Sequence, residues 1–160
     1  KILDVGCGAV YPTIFARAGF KVTAVDISSE ALKQVVEIAE RWNVSQLVFP
    51  VQGDAMQLDP EELLEGEYDA VVEAELWEHV LDVEKVISEG LRVLKPGGYL
   101  ITSTPIGTHH YDPFHIRVFD DKSIRALVDN FSDKVNCKRL EKIAEQGADP
   151  SCYLVVLEKL

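Results

Sequence analysis

With 160 residues, the chain is the size of one domain rather than two. Hydrophobic residues make up 47% and charged residues 27%, ordinary globular usage that excludes a disordered tail, a collagen-like repeat and a coiled-coil rod. Sixteen Lys and Arg against 27 Asp and Glu give a net charge of −11, a surface that repels phosphate backbones unless its cations gather on one face.

No apolar run approaches the roughly 20 residues needed to span a bilayer. Cys7, Cys137 and Cys152 are widely spaced and odd in number, which indicates neither a disulfide framework nor a paired-cysteine metal site. A reducing, cytoplasmic setting follows. The sequence opens on Lys1 and passes at once into a strand-like run, without an initiator Met or a signal-peptide pattern. An N-terminal covering helix is therefore expected to be missing from this sequence.

In chain order, residues 2–5 read as a buried strand ending at Gly6-Cys7-Gly8. Pro12 suits the first turn of a helix, which runs through Ala18 and stops at Gly19. Residues 21–25 form a second strand. Ser28-Ser29-Glu30 offers an N-cap to a helix over 31–42, in which Leu32, Val35, Val36 and Ala39 keep helical spacing. Residues 48–51 form a short third strand, 61–64 a single helical turn and 68–73 a fourth strand. A helix over 83–94 turns Val86, Ile87, Gly90, Leu91 and Leu94 inward and closes on Lys95-Pro96-Gly97-Gly98. A fifth strand covers 99–103, followed by a long connection over 104–119. Asp121 or Ser123 caps a helix around 124–130. Two last strands, 136–142 and 152–158, form a hairpin about a Gly-containing turn.

Repeated strand–helix units imply a parallel sheet covered on both faces. Right-handed crossovers put the working edge at the strands' carboxyl ends. Functional side chains are expected just after strands one to five of one domain spanning residues 1–160.

Gly6 and Gly8 sit between a strand and a helix, and Asp26 ends the next strand twenty positions after Gly6. That spacing lets a carboxylate accept from both hydroxyls of a ribose lying over the loop. A dinucleotide loop wants Gly at the sixth position, where Tyr11 stands, and Asp4 is a poor neighbour for pyrophosphate but a good one for a cation. A ligand with ribose, adenine and a cationic amino-acid tail fits better than NAD, and S-adenosylmethionine is such a ligand.

Ile2-Leu3-Asp4-Val5-Gly6-Cys7-Gly8, Val25-Asp26-Ile27-Ser28, Gly53-Asp54-Ala55, Tyr68-Asp69-Ala70-Val71-Val72 and Leu94-Lys95-Pro96-Gly97-Gly98 together resemble class I S-adenosylmethionine-dependent methyltransferases, in order and over nearly the whole chain. The resemblance implies a Rossmann-like α/β fold: a seven-stranded, mostly parallel sheet with an antiparallel last strand and helices on both faces. It implies that Asp4 and the backbone of Gly6, Cys7 and Gly8 face the methionine part of the cofactor. Asp26 then holds the ribose, Ile27 lies against the adenine, Asp54 accepts from the adenine amino group and Ala55 offers its backbone N–H. A plain turn role for Asp54 after Gly53 stays open. Val10 departs from the family, which carries a third loop glycine there. Because valine avoids positive φ, either this position keeps φ negative or the loop is reshaped.

After the fourth strand comes Glu73-Ala74-Glu75-Leu76-Trp77-Glu78-His79, and the long loop adds His109, His110, Tyr111, Asp112 and His115. All four histidines thus fall in two segments expected at the pocket, and so long a loop in a compact domain is often functional. If a helix begins at Glu75, Glu75 and Glu78 share a face. Three readings stand. Glu75 serves a helix N-terminus and His79 is merely packed; or His79 or His115 is a general base toward a substrate hydroxyl; or Glu75, Glu78, His79 and a loop histidine hold Mg²⁺, Mn²⁺ or Zn²⁺. Trp77 is expected to wall the pocket and Trp42 to pack. Tyr111, Phe114 and Phe119 form either a lid or a satellite core. Cys7 is read as a loop residue whose backbone N–H faces the ligand, not as a nucleophile.

The Glu-x-x-Glu-His pattern also resembles ubiquinone-biosynthesis O-methyltransferases and the metal-dependent small-RNA 2′-O-methyltransferases, for which His115 is only a loose match to the further histidine. Net acidity and the lack of a Lys/Arg cluster disfavour RNA. The preferred acceptor is a small-molecule oxygen, with His79 and His115 as catalytic residues and Asp4, Gly6, Cys7, Gly8, Asp26, Ile27, Asp54, Ala55 and Glu75 on the cofactor. The alternatives are a metal-dependent RNA methyltransferase and a methyltransferase-fold binding module without catalysis.

Overall fold

The computed structural model describes residues 1–107, 112–144 and 148–160. Its strands are β1 (Ile2–Val5), β2 (Val22–Asp26), β3 (Val48–Gln52), β4 (Tyr68–Val72), β5 (Leu94–Pro105), β6 (Val135–Ile143) and β7 (Cys152–Lys159). Its helices are α1 (Tyr11–Arg17), α2 (Ser29–Arg41), α3 (Val83–Val93) and α4 (Asp121–Asp129). One sheet runs β3-β2-β1-β4-β5-β7-β6. The pairs among β1 to β5 are parallel, and β7 lies antiparallel to both β5 and β6. The strand order reverses between β2 and β4 on either side of β1, which places a crevice at the carboxyl end of β1.

Strand alternation sends side chains to two cores. On β2, Val22 and Ala24 join a cluster with α1 and α2 residues, including Ala16, Leu32, Val35 and Ala39. Val25 faces the other way, into the larger cluster with Leu3, Val5, Val71, Ile87 and Leu157. The central strand β1 is buried at all four positions, so its one acid, Asp4, is forced into the interior on the α1/α2 side.

The helices start where short polar side chains can satisfy free backbone donors. Ser28 accepts from the Ala31 N–H at 3.2 Å and Asp82 from the Lys85 N–H at 3.0 Å. The cap of α4 is Asp120, not Asp121 or Ser123. Asp120 Oδ1 takes the Ser123 N–H at 2.7 Å, and Ser123 Oγ takes the Asp120 N–H at 2.9 Å, a reciprocal box. Asp121 instead accepts from the Tyr153 hydroxyl at 2.6 Å. Val36 lies outside the inner face of α2 and is exposed.

The start of one strand also differs from expectation. Strand β5 begins at Leu94, directly after α3, and Lys95-Pro96-Gly97-Gly98 is a bulge inside it: Tyr68 pairs with Leu94, then Ala70 with Tyr99. Gly97 has φ +76°, and a Cβ on Gly98 would stand 2.9 Å from the Lys95 carbonyl oxygen, so both positions require glycine. At the sheet's ends, β3 carries Pro50 and the exposed Phe49. Strand β6 is exposed at most positions and bulged between Cys137 and Arg139. The Gly147 turn expected between β6 and β7 lies outside the described residues.

Candidate functional site

The loop after β1 is built for close approach. Gly6 and Gly8 have φ of +63° and +54°, values that favour glycine. Val10 has φ −110° as the N-cap of α1, so valine replaces the family's third glycine without backbone strain. Tyr11 points outward and stacks on Phe15, with ring centroids 6.3 Å apart.

Asp26 closes the loop. Its Oδ2 accepts the Gly8 N–H at 3.0 Å and its Oδ1 the Ser28 N–H at 2.8 Å. One carboxylate thereby ties the β1 loop to the start of α2 while keeping lone pairs for further donors. Two of the loop's donors are spent inside the protein: the Gly8 N–H on Asp26, and the Cys7 N–H on the Val25 carbonyl at 3.1 Å. The Cys7 N–H therefore does not face a ligand. Its side chain is buried in the α1/α2 core, and burial pushes the thiol up, so it is inert as a nucleophile.

A cavity of about 360 Å³ opens at the carboxyl ends of the strands, within the range of small-molecule sites. Of the residues expected on the cofactor, Gly6, Asp26, Ile27, Asp54, Ala55 and Glu75 line it. Asp54 Oδ1 accepts the Met56 N–H at 2.8 Å. Asp4, Cys7 and Gly8 are not in the lining. Asp4 is buried, its Oδ2 has no partner, and burial, with the nearby Asp26 charge, holds its carboxyl well above the usual range. An orphan buried carboxylate beside a glycine loop fits a cationic ligand group, and Asp26 fits a ribose. The residues present therefore suit S-adenosylmethionine.

The opposite wall was only partly legible. Leu76, Val80 and Leu81 line the cavity with His79, although in that segment the sequence drew attention to the glutamates, Trp77 and His79. A Cβ on Gly6 would stand 2.7 Å from Leu76 Cδ1. Leu81 and Ile27 are 79% and 71% exposed; apolar side chains left this open at a cavity mouth suit a flat apolar ring.

The segment after β4 is a run of turns, not a helix. Glu75 has φ +51°, so it serves no helix N-terminus and does not share a face with Glu78. It is exposed and accepts from Ser103 Oγ at 2.6 Å. Glu78 is buried, taking the Thr104 hydroxyl at 3.0 Å on Oε2 and leaving Oε1 without a hydrogen bond. Burial raises its carboxyl above the ordinary value. Trp77 is fully buried and points into the core, not at the cavity. It donates to Glu73 at 2.6 Å, a pairing missed in the sequence, where a four-residue Glu–Trp spacing carries no recognisable signal.

The long loop reaches the same place. The Ile116 N–H donates to the Glu78 carbonyl at 2.9 Å, and Arg117 Nη2 to the Leu81 carbonyl at 2.8 Å. The His79 and His115 rings meet edge to face, with centroids 4.8 Å apart. Among the described residues, one ligand atom from each of Glu78, His79 and His115 lies within 4.8 Å of the others, so three of the four groups considered for a metal converge. Glu75 is not among them. Phe119 is core and Phe114 is exposed, which divides the expected lid between two roles. Trp42 packs under the Arg17 guanidinium, 4.7 Å from the ring centroid. His109, His110 and Tyr111 lie outside the described residues.

This fold and strand-end site define a class. Residues 3–102 match the methyltransferase domain family, and the chain belongs to the class I S-adenosylmethionine-dependent methyltransferases. It is similar to the ubiquinone biosynthesis O-methyltransferase of Xanthomonas oryzae pv. oryzae, 34% identical over 137 residues, covering 71% of this chain and 56% of that protein. It is also similar to sterol methyltransferase-like 2 of Botryococcus braunii, 31% identical over 119 residues, covering 73% of this chain and 30% of that protein. The chain thus spans about half or less of these relatives' length. A solved S-adenosylmethionine-dependent methyltransferase from Methanosarcina mazei superposes with a TM-score of 0.79 at 22% identity, covering 99% of this chain and 92% of that one, a likeness of fold. No helix among the described residues is long and apolar enough to cross a membrane, and all three cysteines are unpaired.

Proposed function

We propose that residues 1–160 form one catalytic domain that transfers a methyl group from S-adenosylmethionine to an oxygen of a small apolar molecule in the cytoplasm. The observation that carries the reading is the meeting of His79 and His115 beside the cavity that Asp26, Ile27 and Asp54 line. Bound S-adenosylmethionine supplies an electrophilic methyl group on a sulfonium. The chain's own residues do the rest. Asp26 orients the ribose through lone pairs left free by the Gly8 and Ser28 N–H groups. Asp54 accepts from the adenine amino group, Ile27 and Leu81 cover the ring, and Asp4 balances the cationic end. Glu75 completes the cofactor side after β4.

His79 or His115 takes the acceptor's hydroxyl proton as the oxygen attacks. Alignment of the two reactants and exclusion of water supply most of the acceleration. The exposed Phe114 and Ile116 favour an apolar acceptor body, in keeping with the names of the ubiquinone and sterol relatives. The acidic surface (net charge −11) disfavours an RNA acceptor.

Calorimetry with S-adenosylhomocysteine tests the cofactor. Transfer of labelled methyl to a panel of hydroxylated aromatic molecules tests the chemistry. Saturable binding and transfer are expected; a folded protein that binds no cofactor overturns the reading. Binding without transfer to any hydroxylated acceptor would favour a binding module. A second reading rests on the Glu78, His79 and His115 cluster: these groups would hold a divalent cation, which would supply Lewis-acid chemistry beside the acceptor site. EDTA then abolishes turnover and His115→Ala mimics it; turnover indifferent to chelation removes the metal.

A further inference from the structure

We propose that Glu73, acting through Trp77, is a positioning residue that holds the Glu78/His79 segment in register with the loop bearing His115; what that register serves rests on the methyltransferase reading.

Glu73 is the first residue beyond β4 and is completely buried. Its backbone is locked to β5: the N–H donates to the Ile101 carbonyl at 2.9 Å, and the carbonyl accepts from the Thr102 hydroxyl at 2.8 Å. The carboxyl turns inward, where Oε2 accepts the Trp77 indole N–H at 2.6 Å. Oε1 has no hydrogen-bond partner, and a Cβ on residue 90 would stand 2.5 Å from it. Gly90 on α3 thus leaves the room that Glu73 fills.

Trp77 carries this fixed point outward in two directions. Its ring packs at 57° to Phe119, centroids 6.4 Å apart. Phe119 closes the long loop, its carbonyl accepting the Gly107 N–H at 2.8 Å. Along the chain, the next residue is Glu78, whose carbonyl takes the Ile116 N–H, followed by His79, whose Nδ1 lies 3.2 Å from the Phe114 carbonyl oxygen. Trp77 therefore touches both segments that bring a histidine to the site.

The bond is a costly way to fill a core. A buried carboxyl with one unpartnered oxygen is worse for stability than an apolar pair of the same shape. Burial pushes Glu73 up to about 8, with the Trp77 hydrogen bond opposing, so the group is mainly neutral at physiological pH and no full charge is stranded. What it offers is direction. The turns over 74–79 lack a helix or strand ladder and contain a left-handed Glu75. A short, directional bond fixes where the Trp77 indole sits, and it adds to the links from Ser103 to Glu75 and from Thr104 and Ile116 to Glu78 that hold the rest of the segment.

The test needs no knowledge of the acceptor. The complete chain, labelled with ¹³C in its histidine rings, is examined for a nuclear Overhauser contact between His79 and His115, assigned by His→Gln variants. S-adenosylhomocysteine affinity is measured on the same samples. The contact is expected in the unmodified chain and in Glu73→Gln, whose amide oxygen still accepts from Trp77. It is expected to vanish in Glu73→Leu and in Trp77→Phe, while cofactor binding is retained through the strand-end residues Asp26, Ile27 and Asp54 and weakens by less than about tenfold, the part that Glu75 and Leu81 supply. If Glu73→Leu does not fold, Trp77→Phe, which keeps an aromatic ring against Phe119, decides. A contact that persists in Trp77→Phe overturns the proposal, as does its loss in Glu73→Gln. Failure of every sample, the unmodified chain included, to bind S-adenosylhomocysteine would strike the methyltransferase reading instead, and the ring contact would still decide the role of Glu73.

Discussion

The two walls of the cavity are made in opposite ways. The cofactor wall, after β1, β2 and β3, is assembled from side chains at strand ends that reach their partners over short paths: Asp26 binds Gly8 and Ser28 directly. The wall proposed for the acceptor, after β4 and β5, is built of turns and loop. It is held by cross-links between distant segments: Glu73 to Trp77, Trp77 to Phe119, Ile116 to Glu78. A wall hung from a sheet is robust to what happens across the cavity, whereas a wall of linked turns fails together when one link is cut.

Four variants, one of them with a second substitution added, bear on this contrast, from the largest expected effect to the smallest. Asp26→Ala should reduce S-adenosylhomocysteine affinity by roughly a thousandfold, since the two charge-assisted bonds proposed to the ribose would be lost. The His79–His115 ring contact should survive it, and its loss would show that the walls are not independent. Thermal melting should fall by only a few degrees for the two exposed backbone bonds that Asp26 also makes.

Glu73→Gln probes the other wall through pH. The Glu73 carboxyl is raised from 4.5 to about 8 in the folded chain. Between those values the folded state holds a proton that the unfolded state has lost, so stability falls as pH rises through this window and levels off above it. Urea denaturation should therefore show Glu73→Gln gaining on the unmodified chain by roughly 1.4 kcal/mol per pH unit across the window. Parallel pH profiles for the two proteins would mean that Glu73 is not protonated when buried.

Gly6→Ala should weaken cofactor affinity about tenfold, through positive φ and the crowding of Leu76. Adding Leu76→Ala should recover part of that loss if the walls touch only at this point. Asp120→Ala, at the cap of α4, should cost about 1 kcal/mol in urea and leave both the ring contact and cofactor affinity unchanged, marking the level of an effect that belongs to neither wall.

The difference between the walls also explains what could be read from the sequence. Strand–helix alternation, the Gly6-Cys7-Gly8 loop and the position of Asp26 are local patterns, and they identify the fold and several of the residues that line the strand-end cavity. The Lys95-Pro96-Gly97-Gly98 bulge keeps its glycines for a local reason as well, although it proved to lie within β5. On the acceptor side the local rules misdirected. Spacing put Glu75 and Glu78 on one helical face, but Glu75 takes a left-handed conformation and no helix forms. Trp77 seemed suited to a pocket wall, but its N–H found a buried carboxyl. Leu81 passed unnoticed because an exposed leucine has no pattern until the surface around it is known. The Glu73–Trp77 bond spans only four positions, but the links that set these turns against the long loop and β5 join residues more than twenty positions apart, which periodicity does not encode.

The two free margins of the sheet have a consequence for the protein in bulk. Pro50 on β3 offers no N–H to an incoming strand, and β6 meets it with Lys138, Arg139, Glu141 and Lys142 and a bulge that bends its backbone. Neither margin is a template for edge-to-edge stacking, even though Phe49 is exposed beside Pro50. The chain should thus stay dispersed at high concentration, and replacing Pro50 by valine should lower the concentration at which it begins to form fibrils.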